Sequence, residues 1–117
     1  MISSNDLTTH AITWALHGLE RRSQVAANNV ANLEVPNFRA QRVDFEQQLG
    51  AALRGGEIGR IADPVLSPTG AAPGPNGNNV RLEDEMVEMM EVNLAKSAMV
   101  EAFNYKAGLM RLAVRGQ

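Results

Sequence analysis

His10 and His17 stand seven residues apart in a stretch of helical periodicity, so both rings can face one side of a helix, two turns apart. Two histidines that share a metal on a helix need the tighter i, i+4 spacing, and no carboxylate pattern completes a ligand set. Glu83, Asp84, Glu85, Glu88 and Glu91 form the other cluster of reactive side chains. Acid–base work would need an apolar pocket to perturb them. The sequence suggests none, so the cluster reads as decoration of a solvated helix start. Ser, His and Asp residues occur without a nucleophile turn. The glycines are scattered among prolines and follow no strand, so no phosphate loop is expected. An enzyme, a metal centre and a cofactor are all outside the expectation.

Those residues sit in a chain of 117 residues, enough for one domain at most. Only 4% of the residues are aromatic, so a lone copy would have a thin core. Six Met and many Ala suit adaptable helix–helix contacts. The formal net charge is -2 and the basic residues are scattered, without a stripe interleaved with aromatics, so no nucleic-acid partner is expected. There is no cysteine, which excludes disulfides and thiol chemistry. The N-terminal residues lack a cationic start and an unbroken apolar run, so a secretory signal peptide is not expected. No stretch reaches the roughly 20 apolar residues of a membrane span.

The elements that must position everything else lie at the two ends. Residues 5–34 repeat apolar side chains at steps of three and four, in a row of Ile12, Leu16, Leu19, Ser23, Ala26, Val30 and Leu33 in which only Ser23 is polar. Leu7, Ala11, Trp14, Gly18 and Val25 lie beside it. Ser4 or Asn5 would cap this helix, and Pro36 would stop it near Leu33 or Glu34. Residues 82–114 form a second helix with acids at its start and Lys106, Arg111 and Arg115 near its end, as the helix dipole favours. Its main row is Val87, Met90, Leu94, Ala98, Ala102, Tyr105, Leu109 and Leu112, with Met89, Val92, Met99, Phe103 and Met110 nearby. Both apolar faces are wider than one partner helix needs. The expected fold is all-α: long N- and C-terminal helices packed as a coiled-coil-like hairpin, with an irregular Gly/Pro-rich middle and one short helix.

That middle, 36–80, opens with a turn in which Asn37 tolerates the left-handed conformation. Asp44 and Gln47 suggest a capping box for a short helix near 45–54, ended by Gly55-Gly56. Asp63-Pro64, Ser67-Pro68, Pro73-Gly74-Pro75 and Asn76-Gly77 then read as loop. So long an insert is expected to be functional, or ordered by a partner.

Two stretches are more specific. Ala27-Asn28-Asn29-Val30-Ala31-Asn32-Leu33-Glu34-Val35-Pro36-Asn37-Phe38-Arg39 resembles the N-terminal signature of the bacterial flagellar rod, hook and hook-associated axial proteins, A-x-N-[LIV]-A-N-x-x-T-P-G-[YF]-[KR]. Val35 and Asn37 replace the usual Thr and Gly. Gly77-Asn78-Asn79-Val80-Arg81-Leu82-Glu83-Asp84-Glu85-Met86 resembles the G-N-N-V-D-L-E-x-E-M run of the short proximal-rod members. Arg81 stands where that run has Asp, a helix cap. Phe38-Arg39-Ala40 and Val43-Asp44-Phe45 are similar to the Y-K-A-x-x-x-D-F region of the same proteins.

The resemblance implies a single rod-type domain, 1–117, serving as a structural subunit that assembles helically and joins the export gate and MS ring to the rod. Its implied partners are copies of itself, other rod proteins, the export gate and MS-ring adaptor proteins. Its implied place is the periplasmic rod, reached through the flagellar export gate without a cleaved signal. Ile12, Leu16, Leu19, Val30, Met90, Leu94, Met99, Phe103 and Leu109 are the expected assembly and intrachain packing positions. Asn29, Asn32, Pro36, Phe38 and Arg39 are the signature positions expected to shape the turn after the first helix. The rival readings are the other short rod protein of the family and a soluble helical adaptor or chaperone that binds a partner helix.

Overall fold

The computed structural model describes residues 4–56 and 63–116. In chain order it contains α1 (Ser4–Ala31), β1 (Gln41–Val43), α2 (Glu46–Gly55), β2 (Leu66–Pro68) and α3 (Leu82–Arg115). Lys106 Nζ donates to Thr9 Oγ1 at 3.1 Å and Lys96 Nζ to Glu20 Oε2 at 2.7 Å. Near the other end, Asn29 Nδ2 donates to Glu85 Oε1 at 3.1 Å. Facing positions rise on one helix as they fall on the other, so α1 and α3 form an antiparallel hairpin. The body is 67 × 26 × 15 Å, elongated because α3 alone runs about 50 Å at its rise per residue.

The sequence-expected helix stop near Leu33 or Glu34 is corrected to Ala31. Leu33 N bonds to Val30 O, which tightens the final turn, and the Asn32 side-chain amide folds back onto Asn28 O. The next carbonyls, of Asn32 and Val35, accept from Asn78 Nδ2 at 2.8 and 2.7 Å instead of from helical N–H groups. The chain therefore turns before the proline is reached. Asn37 completes the turn at φ 64°, the left-handed conformation expected of it. The proposed Ser4 or Asn5 cap lies outside the described side chains.

The middle holds a two-stranded antiparallel ribbon that the periodicity did not suggest, with Gln41 opposite Pro68, Arg42 opposite Ser67 and Val43 opposite Leu66. The described residues of this region bond to one another and to the preceding turn. Thr69 N donates to Ala40 O, Asp44 N to Val65 O, and Val65 N to the Gln48 side chain. These bonds pair backbone groups of the segment within its own chain. Residues 57–62 of the expected loop lie outside the described residues.

The expected capping box of α2 does not form. Phe45 occupies the cap position without a side-chain cap bond. Asp44 Oδ2 instead accepts from Arg42 Nε at 3.0 Å and from Ser67 Oγ at 3.3 Å, so the carboxylate ties the ribbon together. Phe45 points inward and is buried. The core gathers at this end of the hairpin, where Leu19, Val25 and Ala26 of α1 meet Ala40, Val43, Phe45 and Val92. Trp14, Leu49, Leu66, Ala95 and Met99 pack around it.

Candidate assembly face and the signature junction

Three asparagines hold the base of the hairpin. Asn29 is 1% exposed; its Nδ2 donates to Gln41 O at 2.8 Å, and its Oδ1 accepts from Gln41 N at 3.1 Å. One amide side chain thereby supplies both hydrogen bonds that a neighbouring strand would give Gln41. Asn78 bridges the carbonyls of Asn32 and Val35, while its Oδ1 accepts from Val80 N at 2.8 Å. Asn79 Oδ1 accepts from Ala40 N at 2.6 Å and its Nδ2 donates to Ala71 O at 3.0 Å. No buried side-chain polar atom among the described residues is left without a partner, so the network is complete.

The two signature stretches are therefore one structural unit. Phe38 joins it through its backbone, accepting from Asn79 N at 3.2 Å. Gly77 sits at φ 82°, and a Cβ there would fall on the side-chain amide of Asn37. Asn37 N in turn donates to Asn76 O at 3.0 Å. Pro36 is exposed at the turn, and Arg39 is exposed beside Arg21, Asn28 and Gln41 at a shallow groove. Of the expected turn residues, Asn29 and Asn32 hold it through side chains. Val35, in place of Thr, keeps its side chain in solvent and contributes its carbonyl.

A second latch centres on Arg22. Its Nε and Nη2 donate to Val43 O at 3.1 and 2.6 Å, and Nη1 and Nη2 clasp Glu46 at 2.8 and 2.7 Å. The guanidinium also stacks over the Phe45 ring, 4.7 Å from its centre. Gly18 admits that ring, because a Cβ there would lie 2.5 to 2.8 Å from Phe45 ring atoms. Trp14 meets the same ring edge-on at 5.8 Å. The Arg22 hydrogen bond holds the Glu46 carboxyl below its ordinary value against the opposing effect of burial.

The acidic start of α3 is less uniform than a solvated decoration. Glu85 is buried and accepts from Asn29. Burial raises its carboxyl above the ordinary value; the Asn29 bond opposes this, and the charges of Glu88 and Asp84 add to it. Burial also raises Glu88, against the attraction of Arg22 at 3.4 Å. Arg81 precedes the helix without a side-chain cap bond, as the loss of the usual Asp implies.

The expected assembly and packing positions divide. Leu19 is buried, and Met99 packs against the core. Ile12, Leu16 and Val30 are half-buried. Met90 and Leu94 are 68% and 75% exposed, and Phe103 and Leu109 also face outward. The row that dominates the sequence of α3 is therefore its outer face, while Val92, Ala95 and Met99 face the core. Along that outer face Val87, Met90 and Leu94 border a shallow apolar depression with Glu91, Asn93 and Ser97. Asn78, Asn79, Arg22, Gly18 and Glu85 were missed as individual positions. The paired asparagines before a helix were the available signal, whereas no local pattern separates Glu85 from its acidic neighbours.

Among the described residues no helix is long and apolar enough to cross a membrane, and no group of three or more His, Cys, Asp or Glu is placed to hold a metal ion. No family model matches the chain. The flagellar basal body rod protein FlgB of Bacillus subtilis is 27% identical over 87% of this chain and 88% of its own length. The FlgB of Aeromonas hydrophila is 25% identical over 89% of each chain. The FlgB of Cereibacter sphaeroides is 23% identical over 97% of this chain and 96% of its own. Near-complete coverage includes both signature stretches and the junction they build. Over nearly its whole length the chain is similar to FlgB-type flagellar basal body rod proteins.

Proposed function

We propose that this protein is a structural subunit of the proximal rod of the bacterial flagellar basal body, and that neighbouring subunits cover the outer face of α3. The exposure of Met90 and Leu94 on a long helix carries the reading. A run of large apolar side chains in water is a cost for a solitary chain and a source of binding energy in an assembly. The small core, confined to one end of the hairpin, fits a fold completed by its neighbours.

In this reading residues 1–117 are one rod-type domain whose terminal helices pack in coiled-coil fashion. The chain leaves through the flagellar export gate without a cleaved signal and assembles helically in the periplasm. It contacts copies of itself, other rod proteins, the export gate and MS-ring adaptor proteins. Ile12, Leu16, Leu19, Val30 and Met99 serve mainly packing within the subunit, and Met90, Leu94, Phe103 and Leu109 serve packing between subunits. Contacts that do not close on themselves extend such an assembly. Deleting the gene is expected to abolish motility and leave basal bodies without a rod, with the wild-type copy restoring both. A motile deletion strain with an intact rod overturns the reading.

A further inference from the structure

We infer that α2 is a latched arm that undocks from the hairpin as a unit, with Arg22 of α1 exchanging Glu46 of α2 for Glu88 of α3. This is a property of one chain and stands apart from the rod reading. The attachment of α2 is thin, since none of its residues is buried. Phe45, just before it, is fixed: its ring is buried against Gly18, Trp14 and Arg22. No side chain caps the helix at that point. A firmly held ring followed by a lightly gripped helix makes a hinge. Beyond the hinge, Leu49 packs against the core, and Gln48 exchanges two exposed bonds with Asp63 O and Val65 N, at 3.3 and 3.2 Å. The remaining hold is the clasp of Glu46 by Arg22. A segment with so few buried apolar contacts opens well below the free energy of global unfolding.

Arg22 faces more carboxylate than it can hold. Its Nη1 and Nη2 grip Glu46 while its Nε lies 3.4 Å from Glu88 Oε1, and the charge of Asp44 adds to theirs. The Arg22 side chain is 15% exposed, against 63% for Glu46 and 34% for Glu88. Undocking takes Glu46 into water, where a carboxylate is well solvated. It would strand a largely buried guanidinium if Glu88 were absent, and an unpaired charge in such a place is strongly unfavourable. With Glu88 beside it, Arg22 keeps Val43 O and closes onto the second carboxylate. The two carboxylates also repel each other while α2 is docked. Glu88 therefore stabilises the undocked arm more than the docked one, and Glu46 does the opposite.

Amide hydrogen exchange on the full-length chain at neutral pH tests this residue by residue. The amides of residues 49–55 are expected to exchange through one shared opening, faster than those around Leu19 and Val92. Glu46→Gln should speed exchange across α2 about tenfold, the loss of a charge-assisted hydrogen bond, and leave the core amides unchanged. Glu88→Gln should slow exchange across α2 about threefold, the size of a partly exposed ion pair. Neither side chain is buried, and circular dichroism checks that both variants keep their helix content. Two salt bridges that merely hold the fold would both speed exchange when lost, so the opposite signs identify the exchange of partners. Exchange of the α2 amides only together with the core, or a Glu88→Gln variant in which α2 exchanges at the same rate or faster, overturns the latch.

Discussion

The side-chain amide of Asn29 lies 3.1 Å from the carboxylate of Glu85 and bonds it across 56 positions of sequence, joining the end of α1 to the first turn of α3. The same amide pairs with both backbone groups of Gln41. One buried side chain therefore fixes three segments at once. Removing it strands the Gln41 N–H and carbonyl and leaves Glu85 buried without its donor.

Asn29→Ala is expected to cost about 2–4 kcal/mol of folding stability, from several buried polar groups losing partners together. Urea unfolding followed by circular dichroism measures it. A loss below about 0.5 kcal/mol, the level of an ordinary surface change, would mean that the junction does not hold the base of the hairpin.

Glu85 and Glu46 predict opposite responses to pH. The folded value of Glu85 is raised, so its contribution is fully present below the ordinary carboxylate value and is lost as pH rises through the folded one. Glu85→Gln keeps an oxygen for Asn29, and should stabilise the protein at neutral pH with no gain in acid. The folded value of Glu46 is lowered, so its contribution is present above the ordinary value and lost as pH falls through the folded one. Glu46→Gln should destabilise at neutral pH, with the difference vanishing in acid. Denaturant midpoints measured across pH 3 to 8, a range of about five units around the carboxylate values, separate the two.

Gly18 and Phe45 should couple. Alanine in place of a helical glycine normally gains up to about 1 kcal/mol, but here the added methyl meets the Phe45 ring. Gly18→Ala is expected to lose about 1–3 kcal/mol through overpacking, and to shift the emission of Trp14, which touches the same ring. In a Phe45→Leu background the loss should shrink. Equal losses in both backgrounds would place the cost elsewhere.

Leu19 and Leu94 separate folding from assembly. Leu19→Ala empties part of the core and should cost about 2–5 kcal/mol. Leu94→Ser, on the outer face, should leave stability within about 0.5 kcal/mol while blocking assembly and motility. A motile Leu94→Ser strain would argue against this face as a subunit contact.

The helical periods of both terminal segments, the dipole-ordered charges of α3 and the left-handed turn at Asn37 could be read directly, because each depends on near neighbours in the chain. The apolar rows also announced a surplus of greasy surface. They did not reveal which row faces inward. On α3 the longer, more regular row turned out to be the exposed one, and Val92, Ala95 and Met99 took the inner position. Periodicity marks apolar faces without saying which partner meets each.

Local sequence therefore determined the two helices, their polarity and the likeness carried by the two signature stretches. Only the tertiary structure decided that those stretches touch, that the side chains of Asn29, Asn78 and Asn79 satisfy backbone groups of Gln41, Asn32, Val35, Ala40 and Ala71, and that Glu85 is buried while Glu83 is not. It also placed Asp44 on the ribbon rather than at a helix cap. The reason is physical: a helix is made of bonds four residues long, whereas a buried amide or carboxylate is satisfied by whatever the fold brings within 3 Å or so, and that depends on how distant segments pack.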